Sequence, residues 1–108
     1  MTEDDARQAL TARLEELDRL DALSAEGREP VTLQQDSVGR LSRMDAMQQQ
    51  AMAQAEERRR SAERARIKAA FARLDEGEWG YCAKCGEEIA AGRLSNDPSV
   101  ARCVGCAG

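Results

Sequence analysis

The sequence predicts a mainly α-helical chain, an antiparallel two-helix coiled-coil hairpin followed by a small four-cysteine module. Three observations carry this. The first is a doubled Cys-x-x-Cys spacing, Cys82/Cys85 and Cys103/Cys106, with 17 residues between the pairs. The second is a run from about residue 38 to 76 that holds no proline and only one glycine, Gly39. The third is a row of Leu10, Leu14 and Leu17 at the i, i+4, i+7 spacing of one helix face. With one Trp, one Tyr and one Phe in 108 residues, a large compact core is out of reach. Alanine and charged residues dominate instead, which suits long paired helices.

Taken in order, residues from about Asp5 to Ala25 read as the first helix. Leu20 lies at the edge of its leucine face, and Thr2 or the acids Glu3, Asp4 and Asp5 suit the positive end of its dipole. Gly27 and Pro30 end it, the first as a cap and the second as a breaker. Residues 26–38 form the connection at the tip of the hairpin; Val31, Leu33 and Val38 fold it onto the helix ends, and Asp36 or Ser37 is placed to cap the second helix.

The second helix, about residues 38–76, would be roughly 55 Å long. Steps of three and four along it pick out Leu41, Met44, Gln48, Ala51, Ala55, Arg58, Ala62, Ala65, Ala69 and Ala72. Read as a seam, this is a mostly alanine surface on which the leucine ridge of the first helix packs closely. The charges agree with a reversal of the chain. Residues 1–29 carry a net charge of -5, residues 30–55 are neutral, residues 56–73 carry +4 and residues 74–108 carry -3. The Arg58-Arg59-Arg60 run fits a phosphate patch, but a solvated face complementing Asp4, Asp5 and Glu15 accounts for it more simply. If the hairpin is tight, residues beyond about 60 run past Met1. Ile67, Phe71 and Leu74 then need Trp79, Tyr81, Ile89, Leu94 and Val100 as partners, so the cysteine module is expected to sit on this end of the long helix. Gly77 and Gly80 turn the chain into it. The domains are thus residues 1–76 for the hairpin and 77–108 for the module.

Each Cys-x-x-Cys puts two sulfurs on one tight turn, and two such turns 15 to 20 residues apart complete a tetrahedral four-thiolate cage. Cys82, Cys85, Cys103 and Cys106 are all the cysteines present, and the chain has no histidine. The expected cofactor is one structural zinc ion with no position left for water or substrate, hence a zinc finger and not an enzyme. Iron suits the same four sulfurs. Disulfides would need an oxidising compartment, yet the acidic start of the chain has no apolar signal segment. A thioredoxin-like redox pair would need a βαβ setting that the pattern lacks. No apolar run approaches the ~20 residues of a membrane span. A cytoplasmic monomer with no membrane partner is expected, and its net charge of -4 argues against direct DNA binding.

The order of helix, tip and long helix leads into Gly77-x-x-Gly80-Tyr81-Cys82-x-x-Cys85-Gly86-x-x-Ile89, with Arg93-Leu94 beyond and Ala101-Arg102-Cys103-Val104-Gly105-Cys106 at the close. It resembles the DksA/TraR zinc-finger family. The resemblance implies a bacterial transcription regulator that binds RNA polymerase through its secondary channel. The coiled-coil tip would lie near the active site and the zinc end outside, in many members together with the stringent-response alarmone ppGpp. Gly39-Arg40-Leu41-Ser42-Arg43-Met44-Asp45-Ala46 resembles the tip of short members. The family's tip pattern, two acids three residues apart followed two residues later by alanine, fits in two registers. Asp36, Gly39 and Leu41 keep the first acid, and Ser42, Asp45 and Met47 keep the second. Asp45 is the first candidate for a partner-binding tip residue, with Asp36, Arg40 and Arg43 beside it. The chain ends two residues after Cys106, so the C-terminal helix of longer members is expected to be missing. The competing reading is a zinc-ribbon nucleic-acid binder or structural adaptor. It would want aromatics and bases near the cage, where Lys84, Arg93 and Arg102 are set against Glu87, Glu88 and Asp97.

Overall fold

The structure, a computed structural model, describes residues 1–27 and 40–107, with the side chains of 25–27 and 40–42 also left aside. Asp36 and nearly all of the expected tip connection lie outside the described residues. The element order is α1 (Glu3–Gly27), α2 (Arg40–Glu76), α3 (Ala91–Asn96) and α4 (Val104–Ala107). The molecule measures 61 × 28 × 20 Å, with a radius of gyration of 19.3 Å. A compact chain of this length would have about 13 Å, so the hairpin is a rod.

Local chemistry sets the helix ends. The Thr2 hydroxyl accepts the Asp5 backbone N–H at 3.1 Å, and the Asp5 carboxylate accepts the Thr2 N–H at 3.1 Å. This reciprocal box satisfies amides that the first turn leaves over. The Thr2 backbone N–H, followed by its hydroxyl, holds the Asp5 carboxyl below its ordinary range. Gly27, expected as a cap beyond the helix, is instead the last residue of α1. At the end of α2, Gly77 takes φ +75°. Its N–H reaches the Leu74 carbonyl at 3.3 Å and the Glu78 N–H reaches Arg73 at 2.8 Å. That pair of bonds is a Schellman cap, and its left-handed residue favours glycine.

One core joins hairpin and module. Ala6, Leu10 and Leu17 of α1, Ile67, Ala70 and Leu74 of α2, and Trp79, Cys82, Ile89 and Leu94 of the module are buried in a single cluster, with Leu14, Phe71 and Val100 packed on it. The module therefore sits where expected, with one exception: Tyr81 is 46% exposed. The overhang is at the other end from that expected. Arg7 of α1 bonds Asp75 at 2.9 Å, so the start of α1 lies beside the end of α2. At the far end Arg60 reaches Ser24, and α1 stops at Gly27 while α2 continues to Arg40. About 25 Å of α2 stands beyond α1. The apolar row of Ile67, Phe71 and Leu74 draws the start of α1 onto it.

The α1-facing side of α2 also differs from the alanine seam. Ala51, Ala62, Ala65, Ala69 and Ala72 are exposed. The buried and half-buried row runs Leu74, Phe71, Ile67, Arg64, Arg60, Glu57 and Ala53. It is apolar at the base and ionic in the middle. Arg60 bonds Asp21 at 2.7 Å, and Arg64 bonds Asp21 at 2.6 Å and Asp18 at 2.9 Å. Arg13 forks onto Glu63 through two bonds of 2.6 and 2.8 Å. The opposed charge blocks thus do pair, but through Asp18 and Asp21, not through Asp4, Asp5 or Glu15. Arg58 and Arg59 are exposed.

Hydrogen bonds from Arg60 and then Arg64 lower the Asp21 pKa, and Arg13 lowers that of Glu63. Both carboxyls are depressed in the folded state, so their contribution is present above the unfolded values and is lost as pH falls through the folded ones. The thermal midpoint should therefore hold from neutrality to about pH 5 and fall below about pH 4, less steeply in Asp21→Asn/Glu63→Gln. Thermal melts followed by circular dichroism read this. A second test separates the two seams. Ile67→Ala should cost about 2–4 kcal/mol in urea unfolding, whereas Ala69→Gln, on the exposed side, should stay within about 0.5 kcal/mol of the parent.

Candidate metal centre and helix tip

The four cysteine sulfurs lie within 4.8 Å of one another. None is in a disulfide, and the Cys85 and Cys103 sulfurs approach to 3.7 Å. The first knuckle is shaped by backbone bonds: the Cys82 N–H reaches Glu87 at 2.7 Å and the Gly86 N–H returns to the Cys82 carbonyl at 2.9 Å. Gly86 takes φ +78°, and the Cys85 N–H points at the Cys82 sulfur at 3.5 Å. The second pair comes from the start of α4, where the Cys106 N–H bonds the Cys103 carbonyl at 3.1 Å. A bond of 2.8 Å from the Ala83 N–H to the Ala101 carbonyl ties the two halves.

Arg73 ties this cage to the shaft, and further bonds brace the module from within; sequence reasoning foresaw none of them. Arg73 of α2 donates to the Ser99 carbonyl at 3.2 Å and the Val100 carbonyl at 3.5 Å. The Trp79 indole N–H bonds the Pro98 carbonyl at 2.9 Å. Arg93 on α3 bonds the Arg102 carbonyl at 3.0 Å, beside Cys103. Buried Ser99 is satisfied by the Asp97 carboxylate, its hydroxyl donating at 2.7 Å. Only the apolar character of Trp79 and Val100 was readable beforehand, since the bonds from Arg73, Trp79 and Arg93 all end on backbone carbonyls.

The sulfurs are unequal. Backbone N–H groups of Cys103, Cys85 and Lys84 bring the Cys82 thiol down to about 5. The crowding sulfurs of Cys103, Cys82 and Cys85 push Cys106 up to about 12. Four thiolates this close cannot all ionise unless a cation lies among them. A divalent ion reverses that logic and draws the protons off. The donor set and its closed geometry fit one structural metal ion, with no site left open for chemistry.

Residues 77–108 match the prokaryotic dksA/traR C4-type zinc finger. The module is thus a finger of this type, and its cage takes zinc. No curated protein sequence matches the chain. Among solved structures, transcription factor DksA2 from Pseudomonas aeruginosa superposes with a TM-score of 0.81 at 20% identity, covering 97% of this chain and 79% of that one. The hairpin and finger together have the DksA fold.

The tip candidates are remote from the cage. Asp45 and Arg43 are exposed in the first turns of α2, with Asp45 about 45 Å along the helix from its capped end. Arg40 opens α2 and its side chain is not described; Asp36 falls outside the described residues. Met44, Met47 and Met52 are 53%, 64% and 63% exposed on the same stretch. The alanine seam had assigned Met44 to the helix interface and so hid its exposure.

Chelation, or Cys103→Ser, should release the metal, shift Trp79 emission to the red and lower the thermal midpoint. Lys84→Ala, an exposed change within the knuckle, should leave all three as they are. Metal titration in weak buffer should release protons, and affinity should fall as the medium is acidified.

Proposed function

We propose that the chain is a transcription factor of the DksA kind that binds RNA polymerase by placing the overhanging end of α2 in the secondary channel. The observation that carries this is the correspondence of nearly the whole chain, shaft and finger alike, to the fold of transcription factor DksA2. Physical form supports it. A rod 61 Å long and 28 × 20 Å across is slender enough to enter a channel, and its apolar core is confined to the finger end. The end of α2 presents polar and methionine side chains, with Asp45 and Arg43 free to meet a partner and Asp36 and Arg40 as the adjoining candidates. The finger stays outside and sets the angle of the shaft through the Arg73 bonds and the packing of Trp79 in the shared core.

Beside the finger, Arg66, Arg73, Arg93 and Arg102 line a hollow between α2 and the module. This is the place for an anionic co-effector such as ppGpp. The chain works in the cytoplasm, and no described helix is long and apolar enough to cross a membrane. With its four thiols taken by metal and no histidine in the sequence, the chain is read as a regulator, not an enzyme.

The test is retention of core RNA polymerase on the immobilised metal-loaded protein, followed by run-off transcription with and without ppGpp. The wild-type chain should bind and alter promoter output. Asp45→Asn should bind within about twofold of wild type and keep its helicity while its effect on transcription drops severalfold. Equal transcriptional activity of the variant would remove Asp45 from the working tip.

A further inference from the structure

Two of the cations between residues 58 and 73 are used inside the hairpin, and Arg73 holds the finger. Arg60 is tied to Asp21 and Ser24, and Arg64 to Asp18 and Asp21. Arg59 and Arg66 remain exposed, with no hydrogen bond or ion pair among the described residues. They line one groove, with exposed Ala62 between them and the locked Arg13–Glu63 pair alongside. Arg66 also lines the hollow that contains Arg73, Arg93 and Arg102. Arg59, Arg66 and Arg73 therefore form a ridge along one face of α2, repeating every seven residues.

We infer that this ridge is a docking surface for an acidic α-helix of the protein partner. The inference rests on the polymerase reading and adds the contact made by the flank of the shaft. Seven residues are two helical turns, a repeat of about 10.5 Å. Carboxylates at i and i+7 on a helix lying alongside α2 have the same repeat, so each meets a guanidinium in a forked, two-bond geometry. Small side chains such as Ala62 between the arginines allow close approach. Nucleic acid fits less well. Successive phosphates lie much closer together than this repeat, and no aromatic lines the groove.

The test measures binding of the metal-loaded protein to purified bacterial core RNA polymerase without ppGpp. Arg59→Glu/Arg66→Glu should raise Kd about tenfold or more, mainly through slower association, and should flatten its salt dependence. Arg58→Glu/Lys68→Glu changes the net charge equally but lies off the groove, and should stay within about twofold. Arg59→Lys/Arg66→Lys, which keeps the charge and loses the fork, should weaken binding less than the glutamate pair and leave its salt dependence as it is. Circular dichroism checks that each variant keeps its helicity.

With the photocrosslinker p-benzoylphenylalanine in place of Ala62, the captured polymerase peptide should come from a helix carrying carboxylates seven residues apart. If both charge-reversed pairs weaken binding equally, or neither does, the ridge is not the contact. A crosslink to a segment without acids also overturns the inference, as does retention of an RNA hairpin or DNA duplex at about 150 mM salt that depends on Arg59 and Arg66. Failure of the wild-type chain to bind polymerase at all sinks the parent reading instead.

Discussion

Thiolates gathered within 4.8 Å repel one another, and the rest of the chain is arranged around the cation that relieves this. The finger has little else to hold it: one isolated bridge between Tyr81 and Glu88, a six-residue α3 and a four-residue α4. A module that small cannot bury enough surface to fold by packing alone. Once closed, it offers Trp79, Ile89 and Leu94 to the base of α2, where Ile67 and Leu74 already meet Ala6 and Leu10. Metal, finger and hairpin base are thus one cooperative unit, and the angle of the rod is a property of that unit.

Away from the base the shaft changes character. Apolar contact ends near Leu17 and Ile67, and arginine–carboxylate pairs take over at Asp18, Asp21, Arg60 and Arg64. Such pairs, partly open to water, add modest stability. Their larger effect is on register. A slip of one heptad would set Ile67 against Asp21 in one direction and against Arg7 in the other, burying a charge on an apolar side chain either way. The polar middle therefore defines which residues of α1 and α2 lie level, and so how much of α2 is left uncovered.

The sequence was most legible where spacing is dictated by chemistry. The cage follows from the two Cys-x-x-Cys pairs, the leucine face of α1 from the period of 3.6, and the end of α2 from Gly77. It was least legible along α2. Alanine is so common there that several registers satisfy a three–four repeat, and the one richest in alanine turned out to face solvent. The true row was marked at its base by Ile67, Phe71 and Leu74. Tracing it backwards passes through Arg64, Arg60 and Glu57, residues that look like surface until the acids of α1 are placed opposite them. The exposure of Tyr81, the short α3 and the bonds from Arg73 and Trp79 to carbonyl oxygens carry no pattern in the sequence, because backbone acceptors are the same at every residue.

The uncovered length of α2 has a consequence for how such a molecule can vary. Residues 28–39 can extend to about 40 Å, more than the stretch they have to bridge. Turns added just after Asp45 would therefore push the end of the rod outward without disturbing a single contact at the finger. Each added residue advances it by about 1.5 Å and swings it by about 100°, so only increments near seven return Asp45 to its original bearing. Reach and foldedness are independent settings in this architecture, and the first can be tuned in steps of roughly 10 Å while the second stays where the metal put it.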